Sequence, residues 1–411
     1  MRPRGPFSSA SLVGWLVRVG VLLAVSFPAS AANHALSASE QVVRLRDEVL
    51  ARVKESYVDP VDVDKLTQGD LKALVREVDP EGEYLDQSTV RELSAPPADV
   101  GGIGLEFTAR GEFLMITAPL DDSPAARTGL KTGDLIVKID DMPVNGLTRM
   151  EWAKRLRGEP GTLVKLSVLR GGVGNSFDVV LQREIVSTQA VKLRELESGY
   201  IHIRISRFAG DTPAALTTQL RERYTQGDPK GLVLDLRNNP GGVLHGAVGV
   251  AAVFLQPNVL VASLAGRVQE NNFNLYAAPQ FYVRGGADFM KRLPAGVKTV
   301  PLVVLVNEGT AAGSEIVAGA LQDYKRAVIV GTRTFGRASI QTILPMGNGA
   351  ALKLTTARWV TPNKRSVHSI GLTPDVVSWQ VQEEATQKNP SQDNQLEDAL
   401  SLLKGEPGAR N

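Results

Sequence analysis

Hydrophobic positions recur with two different periods along this chain, and the period changes twice. Leu45, Val49, Val53 and Tyr57 lie four apart, the spacing of one helical face. Ser37-Ala38-Ser39-Glu40 ahead of them fits a capping box. A second helical run spans Leu66 to Val78 and stops at Asp79-Pro80. Ala95-Pro96-Pro97 breaks the pattern, so residues 32–97 read as a helical N-terminal region. From Gly101 to about Ser187 the texture is β: short runs (114–116, 135–137, 164–169, 177–181) separated by glycine-rich turns. From Gly199 strands and helices alternate. Gly231 to Arg237 is almost continuously apolar, as a buried parallel strand should be, and a glycine turn and a helix over Val243 to Leu255 follow. The unit repeats as strand 300–306, turn, helix 315–324 and strand 327–330, which is βαβ organisation. Residues 266–298 show no clear period and read as an insertion or a lid. Leu396, Ala399, Leu400 and Leu403 mark one packing face of a short final helix. The expected fold class is α/β and β, multidomain. The expected parts are 1–31, 32–97, 98–187, 188–385 and 386–411.

Composition narrows the classes. With 43% hydrophobic and 22% charged residues the 411-residue chain is globular, and its length allows two or three cored domains. A net charge of +2 and the lack of Lys/Arg runs interleaved with aromatics argue against nucleic acid. There is no cysteine, which excludes disulfides, thiolate metal sites and a Cys nucleophile. No cofactor or metal is expected. Arg2 and Arg4, the apolar run Val19 to Phe27 and Ala29-Ser30-Ala31 read as a secretory signal over residues 1–31. Arg18 shortens the apolar run, so a stable transmembrane anchor is not expected. The mature chain should begin near Ala32 and be exported to the periplasm.

Each βα unit ends a buried strand in a turn that opens a helix, where backbone N–H groups are unpaired and point outward. Two such groups side by side can form an oxyanion hole. Gly241, Gly242 and Gly313 are the candidates, because a carbonyl can approach a residue with no side chain. A phosphate cradle is the rival, weakened because neither turn carries Lys-Ser/Thr. Plain tight turns are the third alternative.

Two resemblances sharpen this. Gly101-Gly102-Ile103-Gly104-Leu105-Glu106-Phe107, Ser123-Pro124-Ala125-Ala126 and Gly129-Leu130-Lys131-Thr132-Gly133-Asp134 resemble a PDZ domain of the bacterial protease-associated kind. DLRNNPGG (235–242), TAAGSEIVAGALQD (310–323), GTRTFGRASIQ (331–341) and Ile370 to Asp375 resemble the carboxyl-terminal processing proteases, peptidase family S41. That resemblance implies a serine at the helix start as nucleophile. It implies an unprotonated lysine, on the loop after the next strand, as base, and a glutamine one helical turn further on that orients it. Here the nucleophile slot holds Ala312, in Thr310-Ala311-Ala312-Gly313-Ser314-Glu315. The base slot holds Arg337, in Thr334-Phe335-Gly336-Arg337. The slots lie 25 positions apart, 312 to 337, which is the family's spacing, and the glutamine is kept as Gln341. Alanine offers no attacking oxygen. Arginine, with a pKa above about 12, stays protonated. Ser314 is turned roughly 200° from the slot on a helix. His245, the only base near the glycine turn, more often fills a packing role in such a position.

What the resemblance leaves is binding. In the PDZ-like stretch the N–H groups of Ile103, Gly104 and Leu105 could hold a peptide carboxylate, with its last apolar side chain near Leu105 and Phe107. The alternative is a loop that only caps its core or docks on the protease-like part. Arg337 would put a fixed charge in the cleft, to meet a peptide carboxylate or an internal acid such as Glu315. The expectation is an exported homologue, catalytically inactive, that binds protein C-termini or unfolded peptides as a scaffold or regulator, with envelope proteins as possible partners. The alternatives are an active serine endopeptidase that processes C-termini of exported proteins, and a purely structural element.

Overall fold

The computed structural model describes residues 38–66, 70–94, 100–171, 176–186, 189–379 and 393–406. The expected signal segment, the capping Ser37 and the Ala95-Pro96-Pro97 break lie outside these. The chain opens with helices α1 (Ala38–Ser56) and α2 (Leu71–Val78), strand β1 (Glu83–Leu85) and helix α3 (Gln87–Ser94). Val49 and Val53 are fully buried, as the spacing of four predicts. The second helix begins later than its apolar pattern: the Asp70 carboxylate accepts the Ala73 N–H at 2.7 Å and sets the first turn at Leu71. This region is also not wholly helical. β1 pairs antiparallel with a strand far along the chain, Leu85 opposite Ala351, and three residues are too few for alternation to reveal a strand.

Next come β2 (Leu105–Arg110), β3 (Phe113–Pro119), α4 (Pro124–Arg127), β4 (Leu135–Ile139), β5 (Met142–Pro143), α5 (Arg149–Leu156), β6 (Leu163–Leu169) and β7 (Phe177–Gln182). They form an antiparallel sheet in the order β2-β3-β4-β6-β7, with β5 on β4. Its core holds Ile103, Leu114, Ile136, Trp152 and Leu166. β2 is an edge strand, so one row of its backbone groups is unpaired within the sheet.

The remaining elements are β8 (Val191–Glu197), β9 (Tyr200–Ile205), α6 (Thr212–Tyr224), β10 (Gly231–Asp235), α7 (Leu244–Phe254), β11 (Leu260–Gly266), β12 (Phe273–Tyr276), α8 (Pro279–Tyr282), β13 (Leu302–Val306), α9 (Gly313–Asp323), β14 (Val328–Gly331), β15 (Ser339–Pro345), β16 (Ala351–Val360), β17 (Val376–Val377) and α10 (Asn394–Lys404). A central sheet runs β17-β14-β13-β10-β9-β8, parallel except for the β8–β9 pair. A second, antiparallel sheet runs β1-β16-β11-β12, with β15 on β16. The continuous apolar run of β10 now has its reason. Leu232 and Leu234 pack with α7 and α9 on one face, and Val233 packs with Leu396 and Ala399 of α10 on the other. A strand covered on both faces has no solvent side on which to place polar residues. The strand stops at Asp235, two residues before the pattern suggests, because Asp235 and Arg237 join a buried charge network. Residues 266–298 hold a short strand and short helical turns whose Leu275 and Tyr282 are buried in the main core, so they are packed on it.

Candidate functional site

Both expected slots sit where the central sheet ends. β13 leads through a turn to α9, and Ala312 occupies the corner with φ 51° and ψ −112°. A residue with a Cβ is strained there, at a cost of about 1–3 kcal/mol. The corner is held from several sides. The fully buried Glu315 carboxylate accepts the Ala312 N–H at 2.9 Å, the Gly336 N–H at 2.7 Å, the Arg337 N–H at 2.8 Å and the Thr334 hydroxyl. One side chain thus fastens the nucleophile slot to the base slot. Burial pushes its carboxyl above the usual range, against hydrogen bonds that pull it down. The neighbouring hydroxyls are engaged in structure. Ser314 is fully buried and donates to the Asn239 carbonyl at 2.9 Å. Thr310 donates to the Leu236 carbonyl at 2.8 Å and accepts the Asn307 N–H at 3.0 Å. The same carbonyls also accept backbone N–H groups, Asn239 from Ala311 at 2.9 Å and Leu236 from Asn239 at 3.1 Å, so each hydroxyl adds a second bond to a buried carbonyl.

The glycine turn after β10 packs on this corner. A Cβ on Gly241 would lie 2.9 Å from the Gly313 nitrogen and 3.0 Å from the Ala312 Cβ, and one on Gly242 would lie 2.1 Å from the Phe208 carbonyl oxygen. Both glycines also have positive φ, 102° and 140°. The three candidate oxyanion donors are not equivalent. The Gly241 N–H donates to Asn239 Oδ1 at 2.9 Å, so Gly241 contributes close approach and not a donor. Among the described residues the Gly242 and Gly313 N–H groups have no intramolecular acceptor. The His245 ring lies against Gly210, and burial, with Arg284 nearby, pushes its pKa down.

The base loop between β14 and β15 is equally fixed. Phe335 N–H donates to the Thr310 carbonyl at 3.0 Å, Thr334 N–H to the Leu372 carbonyl at 3.1 Å and Ser369 N–H to the Gly336 carbonyl at 2.8 Å. The segment Ile370 to Asp375 is therefore the floor of this loop. Arg337 lies over the Phe335 ring, 4.8 Å from its centroid. Its Nε is 3.4 Å from Glu81 and its Nη2 is 3.5 Å from the Thr117 hydroxyl. Of the two partners expected for its charge, the internal acid is present, but it is Glu81; Glu315 takes only the Arg337 backbone N–H. Gln341 stands on a strand, not one helical turn beyond the base. Its amide donates to Thr355 and, at 3.3 Å, to Glu81. Glu81 also accepts from the Ser339 hydroxyl, 258 positions away. No local signal marks Glu81 in the sequence. Glu315 was visible inside its motif, but only the fold shows what it holds.

In the antiparallel domain, Gly104 has φ 70°, and a Cβ there would lie 2.1 Å from the Ser123 Cβ. Ser123 donates to the Gly104 carbonyl at 3.1 Å and caps α4 by accepting the Ala126 N–H at 3.2 Å. The two motifs thus form one loop platform at the start of the edge strand β2. Ile103 and Phe107 are both core residues, 2% and 8% exposed, and Phe107 meets Trp152 edge-on at 6.3 Å. Their side chains support the loop, and only Leu105 of the apolar candidates is half-buried at the groove. This domain rests on the central sheet. Arg204 Nε and Nη2 grip Asp121 at 2.7 and 2.8 Å, and Lys192 pairs with Asp122. Arg204 also joins a buried network of Asp235, Arg237 and His202. Burial pushes the Asp235 carboxyl up, but Arg204 and Arg237 outweigh it and hold the group far below the usual range.

The strained strand-to-helix corner thus lies beside a two-glycine turn, and the domain with the edge strand rests on the same central sheet. The model of peptidase family S41 matches residues 198–378, and that of the PDZ domain matches residues 101–181. The chain is 34% identical over 377 residues to a carboxy-terminal-processing protease of Bartonella bacilliformis, covering 91% of this chain and 80% of the relative. It is 31% identical to the carboxy-terminal processing protease CtpA of Bacillus subtilis, covering 79% of this chain and 66% of that one. The solved photosystem II D1 C-terminal processing protease superposes with a TM-score of 0.68 at 29% identity, covering 83% of this chain and 94% of the other. The chain belongs to the PDZ-containing carboxy-terminal processing proteases of peptidase family S41.

Proposed function

We propose that this protein is an exported member of the family that does not cleave peptides, and that it binds protein C-termini through its PDZ domain as a scaffold or regulator. The observation that carries the reading is the corner itself. Its backbone is strained at the expected nucleophile position, yet Ala312 has no oxygen and Arg337 has no lone pair to accept a proton. The buried bonds of Ser314 and Thr310 support it, since nucleophile, base and oxyanion donors must meet at hydrogen-bond distance. The open edge of β2 beside the Ile103-Gly104-Leu105 loop supports the binding half: an added peptide strand gains main-chain hydrogen bonds there. Export rests on Arg2, Arg4, the apolar run and Ala29-Ser30-Ala31, and a periplasmic setting would suit envelope partners. Among the described residues no helix is long and apolar enough to cross a membrane.

The relatives bear protease names, which favours one rival: processing of exported C-termini by a relocated hydroxyl. Incubation of the purified protein with unfolded casein decides between them. No turnover, with binding of a free-carboxylate peptide and loss of binding on amidation, is the expected result. Turnover that disappears in Ser314→Ala, or a covalent adduct with an electrophilic inhibitor at any hydroxyl, would sink the inactive reading.

A further inference from the structure

The base slot opens on a charged cleft of about 210 Å³ beyond the far end of β2, and the groups around it favour a positive charge. The Glu81 carboxylate reaches the slot from the loop between α2 and β1, remote along the chain. Its Oε1 lies 3.4 Å from Arg337 Nε. Its Oε2 accepts the Ser339 hydroxyl and, at 3.3 Å, the Gln341 amide N–H. Those two bonds aim the carboxylate at position 337. The Thr117 hydroxyl stands 3.5 Å from Arg337 Nη2, and the Phe335 ring turns its face to the guanidinium at 4.8 Å. Gln341 Oε1 is a further buried acceptor with no hydrogen-bond partner among the described residues. The Arg337 and Glu81 side chains are 16% and 32% exposed, so solvent screens the pair only in part.

A general base must give up its proton at working pH, and a carboxylate against it opposes this by favouring the charged form. Resting on the inactive reading above, we propose that Glu81 is a positioning residue that commits the base slot to positive charge, whichever cation stands at 337. The loss of proton transfer then has a third component, in the N-terminal region, beyond Ala312 and Arg337. Gln341, which the family resemblance assigns to orienting a lysine, donates its amide to Glu81 and Thr355 instead. The other charges around the slot have partners of their own. Glu83 stands opposite Lys353 across β1 and β16, and Lys72 faces Glu151 at 3.8 Å. Arg76 donates to the Lys72 and Leu147 carbonyls. Asp79 accepts the Glu81 and Thr355 N–H groups at 3.0 and 2.7 Å, and Glu315 meets residue 337 through its backbone N–H. Arg358 is paired with Asp59. Burial first, and then Arg358, push the His368 pKa down, so this ring is neutral in the alkaline range.

The chain has no cysteine, so Arg337→Cys places a single thiol at the slot of the full-length protein. Its rate of alkylation by iodoacetamide, followed against pH, reads the charge felt there. The midpoint should lie above the ordinary thiol value of about 8.5 and fall by about one pH unit when Glu81→Gln is added. Glutamine keeps the size of the side chain and an acceptor for Ser339, so only the charge is removed. Glu83→Gln, the control, should leave the midpoint within about 0.3 unit. A second arm uses Ala312→Ser with Arg337→Lys. Its casein turnover should rise along an alkaline limb, and Glu81→Gln should move that limb down by about one unit. A midpoint or a limb that ignores the Glu81 charge overturns the proposal, and either readout decides it alone. The thiol needs no turnover, so it decides where the reverted protein does not cleave; the limb decides where the thiol variant does not fold. Turnover by the wild type overturns the inactive reading and leaves the thiol midpoints to judge Glu81 separately.

Discussion

In the proposed function, the corner at Ala312 and the edge strand β2 depend on side chains to opposite degrees. At the corner, backbone alone achieves nothing chemical. The strained turn, the glycines and the Gly242 and Gly313 N–H groups are in place, but proton transfer and attack need an oxygen and an amine that positions 312 and 337 lack. At the edge strand the proposed recognition elements are backbone N–H groups and a row of groups unpaired within the sheet, which few substitutions can remove. On the proposed reading, loss of two side chains abolishes a reaction and leaves the fold and its edge strand intact. Glu315 and Gly241 pin the strained corner from both sides.

The sharpest way to break this contrast is to give the corner its chemistry back. Ala312→Ser combined with Arg337→Lys should raise casein turnover about 100-fold or more over wild type, and neither change alone should do so. A double variant without turnover would show that the corner has lost more than its side chains. The next largest effect is expected at Glu315→Ala, which strips an acceptor from three buried or half-buried N–H groups and one hydroxyl. It should lower unfolding stability by about 3 kcal/mol or more in denaturant titrations, while any folded fraction keeps its peptide affinity. Acid should act on the sheet behind the corner. Burial raises the Asp393 carboxyl, but Arg237 outweighs it and lowers the group below its ordinary 3.8; Asp235 is lowered likewise. A depressed carboxyl contributes stability that is full above the ordinary value and lost as pH falls through the folded one. Melting temperature should therefore drop as pH goes below about 4, less steeply in Asp393→Asn. The smallest effect sharpens the strain argument. Ala312→Gly should stabilise the protein by about 1 kcal/mol, the relief at positive φ exceeding the entropy glycine adds to the unfolded chain. A loss of stability would mean the corner is not strained.

Much of the fold was legible in the residues. The period-four spacing of α1, the β texture of the PDZ domain and the double-sided apolar strand β10 all correspond to elements in place, since each is a local consequence of which face is buried. Ala312 and Arg337, paired by the motif spacing, both donate a backbone N–H to the Glu315 carboxylate. Other features were not legible. The three-residue β1 is too short to show alternation. Residues 266–298 form short pieces whose burial comes from contacts with α7 and α6, not from a period of their own. Phe107 is 8% exposed and packs edge-on against Trp152, a partnership the motif itself does not carry. Gly241 looked like a donor, and its N–H is taken by Asn239, two residues back.

What the amino-acid sequence determined alone was chemical inventory: which side chains stand at which motif positions, and hence that no hydroxyl and amine occupy the two slots. What only the tertiary structure decided was partnership. Glu81 beside Arg337, Glu315 across both slots, Asp121 on Arg204 and the charged cleft beyond β2 join residues that are remote along the chain. Such pairings have no local signature, because they arise only when packed elements bring those side chains within a few ångströms of each other.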